Sequence, residues 1–173
     1  MKKQDTSENL AKTAYLAIGS NLGNKIKNIE IVKLELKKYD IMILKSSSYY
    51  ISESWPDTSK PSYINIVMKI KTVFKPMELL KICNQIELKL GRIRTRVNAP
   101  RTCDIDIIDY DRIILDEYNQ QLILPHPRMN RRNFVLIPLF EIEKSWKHPK
   151  SKINIANLIN SLPVKDLRSI KQI

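Results

Sequence analysis

Asp104 and Asp106 stand two residues apart in the run Thr102-Cys103-Asp104-Ile105-Asp106-Ile107-Ile108. Side chains alternate faces along a strand, so the two carboxylates share one face while Ile105 and Ile107 point to the other. Two like charges that close repel, and a folded chain rarely keeps such a pair without a cation beside it. Arg92, Arg94, Arg96 and Arg101 lie just upstream, and Arg128, Arg131 and Arg132 form a second cluster. Guanidinium forks suit bidentate contact with phosphate, and paired carboxylates suit Mg²⁺. Carboxylates for a metal beside guanidiniums for anions is the equipment for moving a phosphate chain.

Other residues join this group by type and spacing. His126 lies in Leu124-Pro125-His126-Pro127-Arg128-Met129, a segment held open by its prolines and followed by arginines. Tyr63 and Asn65 share a strand face, where a ring can stack on a planar ligand and an amide can read its polar edge. Glu87 falls four residues after Cys83 on the inner stripe of a helix; an isolated acid there is costly, so it either faces an arginine or a ligand or sits at the border of that stripe, and the border is the expected place. Asp109 has the parity opposite to Asp106 in a regular strand, so Asp109 and Asp111 read as turn or surface acids. His148 reads as an exposed loop residue.

The chain also excludes chemistries. Its three glycines, at 19, 23 and 91, can build neither a Walker loop nor a dinucleotide fingerprint, so phosphates must be held by side chains and metal. Two histidines and two separated cysteines, Cys83 and Cys103, make neither a zinc site nor a disulfide framework. A reduced, cytoplasmic setting is the expectation, since Met1–Lys12 is polar and no apolar run is long enough to span a membrane. The net charge of +12 invites a nucleic-acid reading. Lysine is abundant everywhere in the chain, however, and scattered lysines belong to solvated faces.

These residues need a scaffold, and hydrophobic periodicity supplies one. Residues 13–19 read as a strand, and Asn24 caps a helix running to about Tyr39 with Ile26, Ile29, Val32, Leu36 and Tyr39 on one stripe. Two strands follow at 41–51 and 62–73. Pro76 opens a second helix with Leu79, Cys83, Ile86 and Leu90 buried, and Gly91 ends it. A strand at 103–110 leads into a hairpin from Ile113 to Leu124, then helices near 136–143 and 153–161. The order is βαββαβ, an α+β ferredoxin-like core with a C-terminal hairpin and helical extension. One domain over 13–162 is expected, with a polar N-terminal tail, 1–12, and a C-terminal tail, 163–173.

In order and spacing, four segments resemble the 6-hydroxymethyl-7,8-dihydropterin pyrophosphokinase family. They are Ala17-Ile18-Gly19-Ser20-Asn21-Leu22-Gly23, Gly91-Arg92-Ile93-Arg94, Pro100-Arg101-Thr102-Cys103-Asp104-Ile105-Asp106-Ile107, and Leu124 to Met129 with Arg132, Phe134 and Pro138-Leu139. The resemblance implies transfer of pyrophosphate from ATP to the pterin alcohol in folate biosynthesis. It implies that Asp104 and Asp106 bind two Mg²⁺ ions, and that Arg92, Arg94 and Arg101 hold the phosphate chain as catalytic residues. His126 and Arg132 would contact the nucleotide, with Glu87 and Asn84 near it. Tyr63 and Phe134 would sandwich the pterin, Asn65 would bond its edge, and the loop from Ser52 to Trp55 would close over it. Two departures stand out: Val97-Asn98-Ala99 replaces the family's usual Arg-Trp-Gly, and Glu53 replaces a frequent proline. Arg96 and Trp55 are candidates to compensate.

A magnesium-dependent nucleotidyltransferase and an RNA-binding ferredoxin-like module are the alternatives. The first uses the same Asp-x-Asp device. The second would present aromatics in a Lys/Arg-Gly-Phe pattern that this chain lacks. The expected partners are therefore ATP and the pterin, with no nucleic acid, no membrane and a monomeric state.

Overall fold

The computed structural model describes residues 10–54, 57–92, 100–116 and 121–173. Its centre is a six-stranded antiparallel sheet built from β1 (Lys12–Ser20), β2 (Met42–Ser46), β3 (Tyr50–Ser52), β4 (Tyr63–Thr72), β5 (Asp104–Tyr110) and β6 (Ile170–Gln172). The order across it is β5-β1-β4-β3-β6, with β2 also pairing β4. This is the α+β, ferredoxin-like arrangement expected, with additions described below.

Two helices cover one face. In α1 (Lys25–Lys38) the Asn24 side chain accepts from Lys27 N at 3.0 Å, satisfying an amide that would otherwise lack a partner. Ile29, Val32 and Leu36 are buried beneath it, whereas Ile26 is exposed because it sits on the first turn. In α2 (Pro76–Lys89) Leu79, Ile82, Cys83 and Ile86 are buried, and Gly91 beyond its end takes φ +78. The two helices pack on Leu16, Ile18, Ile66, Ile105 and Ile107. Each of these large side chains, taken fully out of water, stabilises the fold by ~1.5–3 kcal/mol.

A second core lies on the opposite face. There α3 (Asn133–Ile142) and α4 (Ile155–Asn160) bury Val135, Leu136, Leu139, Ile155 and Leu158 against Tyr15, Val67 and Ile108. The sheet is thus covered on both faces along part of its length.

The structure adds detail to three expectations. The single strand at 41–51 is two: the chain breaks at Ser47, whose hydroxyl accepts from Val67 N at 3.0 Å, so β2 pairs one half of β4 and β3 the other. The hairpin is represented by reciprocal bonds of 2.9 Å between Leu115 and Leu124, with 117–120 outside the described residues. The chain beyond 162 forms α5 (Val164–Arg168) and β6, which extends the sheet beyond β3.

Candidate active site

Strand register places the chemistry. Gly19 lies between Asn65 of β4 and Asp104 of β5, and Ala17 lies between Val67 and Asp106. Residues paired across strands share a face, so Asp104, Asp106 and Asn65 look out on the same side, away from α1 and α2. Tyr63 and Ser52 are paired on that side as well. The sequence reading of the Asp104/Asp106 parity holds here.

Guanidiniums neutralise the carboxylates. Arg92 is 2.6 Å from Asp104 Oδ1 and Arg101 is 3.0 Å from Asp104 Oδ2, while Arg132 is 2.8 Å from Asp106 Oδ2. Both acids keep some exposure to solvent and so remain open to a ligand. The donor set is oxygen only, which fits a hard cation such as Mg²⁺, which keeps water or phosphate oxygens in the rest of its shell. Among the described residues no three His, Cys, Asp or Glu side chains converge, and Asp104 and Asp106 are the carboxylates on this face that could meet such an ion.

Glu87 is buried, not at the border of the α2 stripe. The cost of burying an acid is offset by two partners: its carboxylate accepts from Ile105 N at 2.7 Å and pairs with Arg92. Glu87 therefore fixes both β5 and the guanidinium that reaches Asp104. Burial opposes the charge on Arg92, but Asp104 and then Glu87 outweigh it and hold its pKa above the ordinary value. Asn84, Glu87, Leu88 and Arg92 line a cleft of ≈ 250 Å³.

His126 approaches Asp106 from another side, with Nε2 3.6 Å from Oδ2. Its backbone is held by Ile108 O at 2.9 Å, and its Nδ1 accepts from Arg128 N at 3.1 Å. That bond assigns the Nε2–H tautomer to the neutral ring. Burial pushes its pKa down, and Asp106 only partly offsets this.

The other end of the face is apolar and amide-rich. The Asn65 side chain donates to Ser52 Oγ at 2.9 Å, and both residues are buried. Gly19 makes room for them: a Cβ there would lie 3.1 Å from Asn65 Oδ1 and 3.4 Å from the Tyr63 ring. Phe134 enters from the first turn of α3, with the Arg132 guanidinium 5.6 Å from its ring centroid. Arg94, Arg96, Trp55 and Val97-Asn98-Ala99 lie outside the described residues.

Two surface assignments change. His148 is buried, its Nδ1 accepting from Lys150 N and Ser151 N, because the chain turns back on Trp146. Asp109 is buried too, and it shares the face of Asp106. The register slips between Tyr15 and Leu16, which leaves Ile108 as an extra residue and reverses the parity beyond it. One contributor went unrecognised: Asn21, 1% exposed, accepts from Arg101 N at 2.7 Å and donates to Pro61 O at 3.3 Å. It ties the turn after β1 to both the arginine segment and the loop before Tyr63. The signal was an amide in a Gly-Ser-Asn turn, a residue type that bonds local backbone.

Known proteins resemble this chain in sequence and in fold. The family 7,8-dihydro-6-hydroxymethylpterin-pyrophosphokinase (HPPK) matches residues 15–144. A Haemophilus influenzae protein called 2-amino-4-hydroxy-6-hydroxymethyldihydropteridine pyrophosphokinase is 36% identical over 142 residues, 82% of this chain and 88% of that protein. The Pneumocystis carinii folic acid synthesis protein fol1 is 36% identical over 172 residues, but the chain spans 22% of its length. Among solved structures, Plasmodium falciparum HPPK-DHPS with pterin and p-hydroxybenzoate superposes with a TM-score of 0.73 at 15% identity, over 96% of this chain and 47% of that one. Family match, relatives and fold agree: the chain belongs to the 7,8-dihydro-6-hydroxymethylpterin-pyrophosphokinase (HPPK) family.

Proposed function

We propose that this chain transfers the terminal pyrophosphoryl group of ATP to the hydroxymethyl oxygen of 6-hydroxymethyl-7,8-dihydropterin, in folate biosynthesis. The alcohol oxygen attacks the β-phosphorus, the bond from that phosphorus to the α–β bridging oxygen breaks, AMP leaves, and the hydroxyl proton passes to solvent. One observation carries the reading. A single sheet face holds a carboxylate–guanidinium cluster, built by Asp104, Asp106, Arg92, Arg101 and Arg132, in register with the aromatic and amide groups of Tyr63 and Asn65.

Asp104 and Asp106 would hold two Mg²⁺ ions, which when bound offset phosphate charge and orient the chain for in-line displacement. Arg92 and Arg101 then pass from carboxylate to phosphate oxygens, with Arg94 added from the segment between them. Arg132 and neutral His126 line the nucleotide side, along with Asn84 and the cleft beside Glu87. Tyr63 and Phe134 stack on the pterin, and Asn65, fixed by Ser52, reads its polar edge; Trp55 closes over it. Catalysis is by positioning and charge neutralisation, so no covalent enzyme intermediate is needed.

Incubation with ATP, Mg²⁺ and 6-hydroxymethyl-7,8-dihydropterin tests this. Pterin-dependent AMP and pterin pyrophosphate are expected. Release of inorganic pyrophosphate instead, or no AMP from folded protein, overturns the reading.

A further inference from the structure

The first residue of α3, Asn133, is 7% exposed and its polar side-chain atoms are engaged. The first amides of a helix lack helical partners, and this side chain meets one of them. Its Nδ2 donates to Asp166 O and, at 3.1 Å, to Ser169 Oγ, while its Oδ1 accepts from Phe134 N at 2.7 Å. A carboxamide supplies both donors and an acceptor oxygen on one side chain; a carboxylate or an aliphatic chain lacks the donors.

These partners connect the amide to the far edge of the sheet. Ser169 also donates to Asp166 O at 2.9 Å, which closes the turn after α5. Ile170 follows and opens β6, where it pairs with Ser52 of β3. Ser52 in turn accepts from the Asn65 amide. A continuous line therefore runs from Phe134 through Asn133, Ser169 and β6 to Ser52 and Asn65. Both ends lie on the acceptor side of the site, and the segment between them falls outside the 15–144 that the family matches.

We propose that Asn133 is a positioning residue for the pterin site: through the α5–β6 segment it sets the first turn of α3, and with it Phe134, relative to Ser52 and Asn65. The proposal rests on the pyrophosphokinase reading above. Arg132 precedes Asn133, but the nucleotide side has Arg92 and Arg101 as independent holds, so the effect concentrates on the acceptor.

The test is steady-state kinetics of Asn133→Ala and Ser169→Ala with both substrates varied, alongside thermal denaturation and circular dichroism. Binding of 6-hydroxymethylpterin in the presence of a non-hydrolysable ATP analogue and Mg²⁺ gives a second readout. Asn133→Ala is expected to raise the KM and Kd for the pterin about tenfold, as loss of roughly one net hydrogen bond implies. The KM for ATP and kcat change by less than about threefold, and Ser169→Ala shifts the pterin values in the same direction by a smaller factor. Pterin constants unchanged in a folded Asn133→Ala, or an equal rise for both substrates, overturns the proposal. If Asn133→Ala does not fold, Ser169→Ala decides: an unchanged pterin KM overturns it. A wild-type chain that makes no pterin-dependent AMP overturns the functional reading itself, a result separate from an active wild type with unaffected variants.

Discussion

Asp109 accepts a 2.9 Å hydrogen bond from the Trp146 indole across the second core. Its other oxygen accepts from Arg112 N at 3.1 Å. Burial pushes its pKa above the ordinary carboxylate value, and the indole bond partly offsets this by favouring the charged form. The folded chain thus binds this proton more tightly than the unfolded chain. The charged, buried form costs stability, and the cost grows as pH rises from the unfolded pKa through the raised folded one.

Trp146→Phe removes the donor that eases this cost. The expected loss is ~1–3 kcal/mol for the carboxylate oxygen left without its donor, with a further packing term. The pH dependence carries the argument. The variant's deficit should be larger at pH 7 than at pH 4, because the indole bond favours the charged form and acid lowers the charged fraction. Urea denaturation at both pH values measures it; a deficit independent of pH would show that Trp146 contributes by packing alone.

How far the chain could be read in advance follows from this same place. The helix stripes of α1 and α2 were legible because one face of each is buried over most of its length, from Ile29 to Leu36 and from Leu79 to Glu87, and the carboxylate pair was legible because β5 is regular from Asp104 to Ile107. The assignment of Asp109 failed two residues later, since a bulge at Ile108 depends on pairing with β1 and leaves no local mark. Likewise β6 is too short for a period, and it exists only because β3 offers an edge. Glu87 sat on the buried stripe in plain sight, but its partners, Ile105 N and Arg92, come from elsewhere in the fold.

The carboxylate pair yields the second prediction. Asp106→Ala and Asp104→Ala should each lower turnover by about a hundredfold or more, because each removes a carboxylate that the proposed mechanism assigns to the metal. Stability should change little: the pairs are partly exposed, and such pairs contribute ~0–1 kcal/mol. AMP production and thermal denaturation on the same samples check both halves. Wild-type rates in either variant would sink the metal assignment.

Glu87 behaves differently because it is buried. Glu87→Leu strips the acceptor from Ile105 N and leaves Arg92 with its Asp104 contact, so a loss of ~3 kcal/mol or more is expected from breaking a buried pair. Activity should fall as well, through misplacement of Arg92 and β5. Glu87→Gln retains an acceptor for Ile105 N, so it should recover most of the stability without the full rate. Equal stability for the wild type and Glu87→Leu, by urea denaturation, would contradict the structural role.

Gly19 offers the most selective perturbation of the acceptor side. It lies at the centre of the face, between Asn65 and Asp104, and its φ is not in the region that demands glycine, so the backbone tolerates alanine. The added methyl meets Asn65 Oδ1 at 3.1 Å and the Tyr63 ring at 3.4 Å. Asn65 has little freedom to retreat, since it is buried and its amide is bonded to Ser52. The strain therefore falls on the two groups assigned to the pterin, while the arginines around Asp104 and Asp106 keep their places. Gly19→Ala should raise the KM for the pterin by about tenfold and leave the KM for ATP within about twofold, at a stability cost of ~1–3 kcal/mol for overpacking. Kinetics with each substrate varied in turn separates the outcomes. A larger effect on ATP than on the pterin would mean that Tyr63 and Asn65 serve the nucleotide, and the two ends of the site would have to be exchanged.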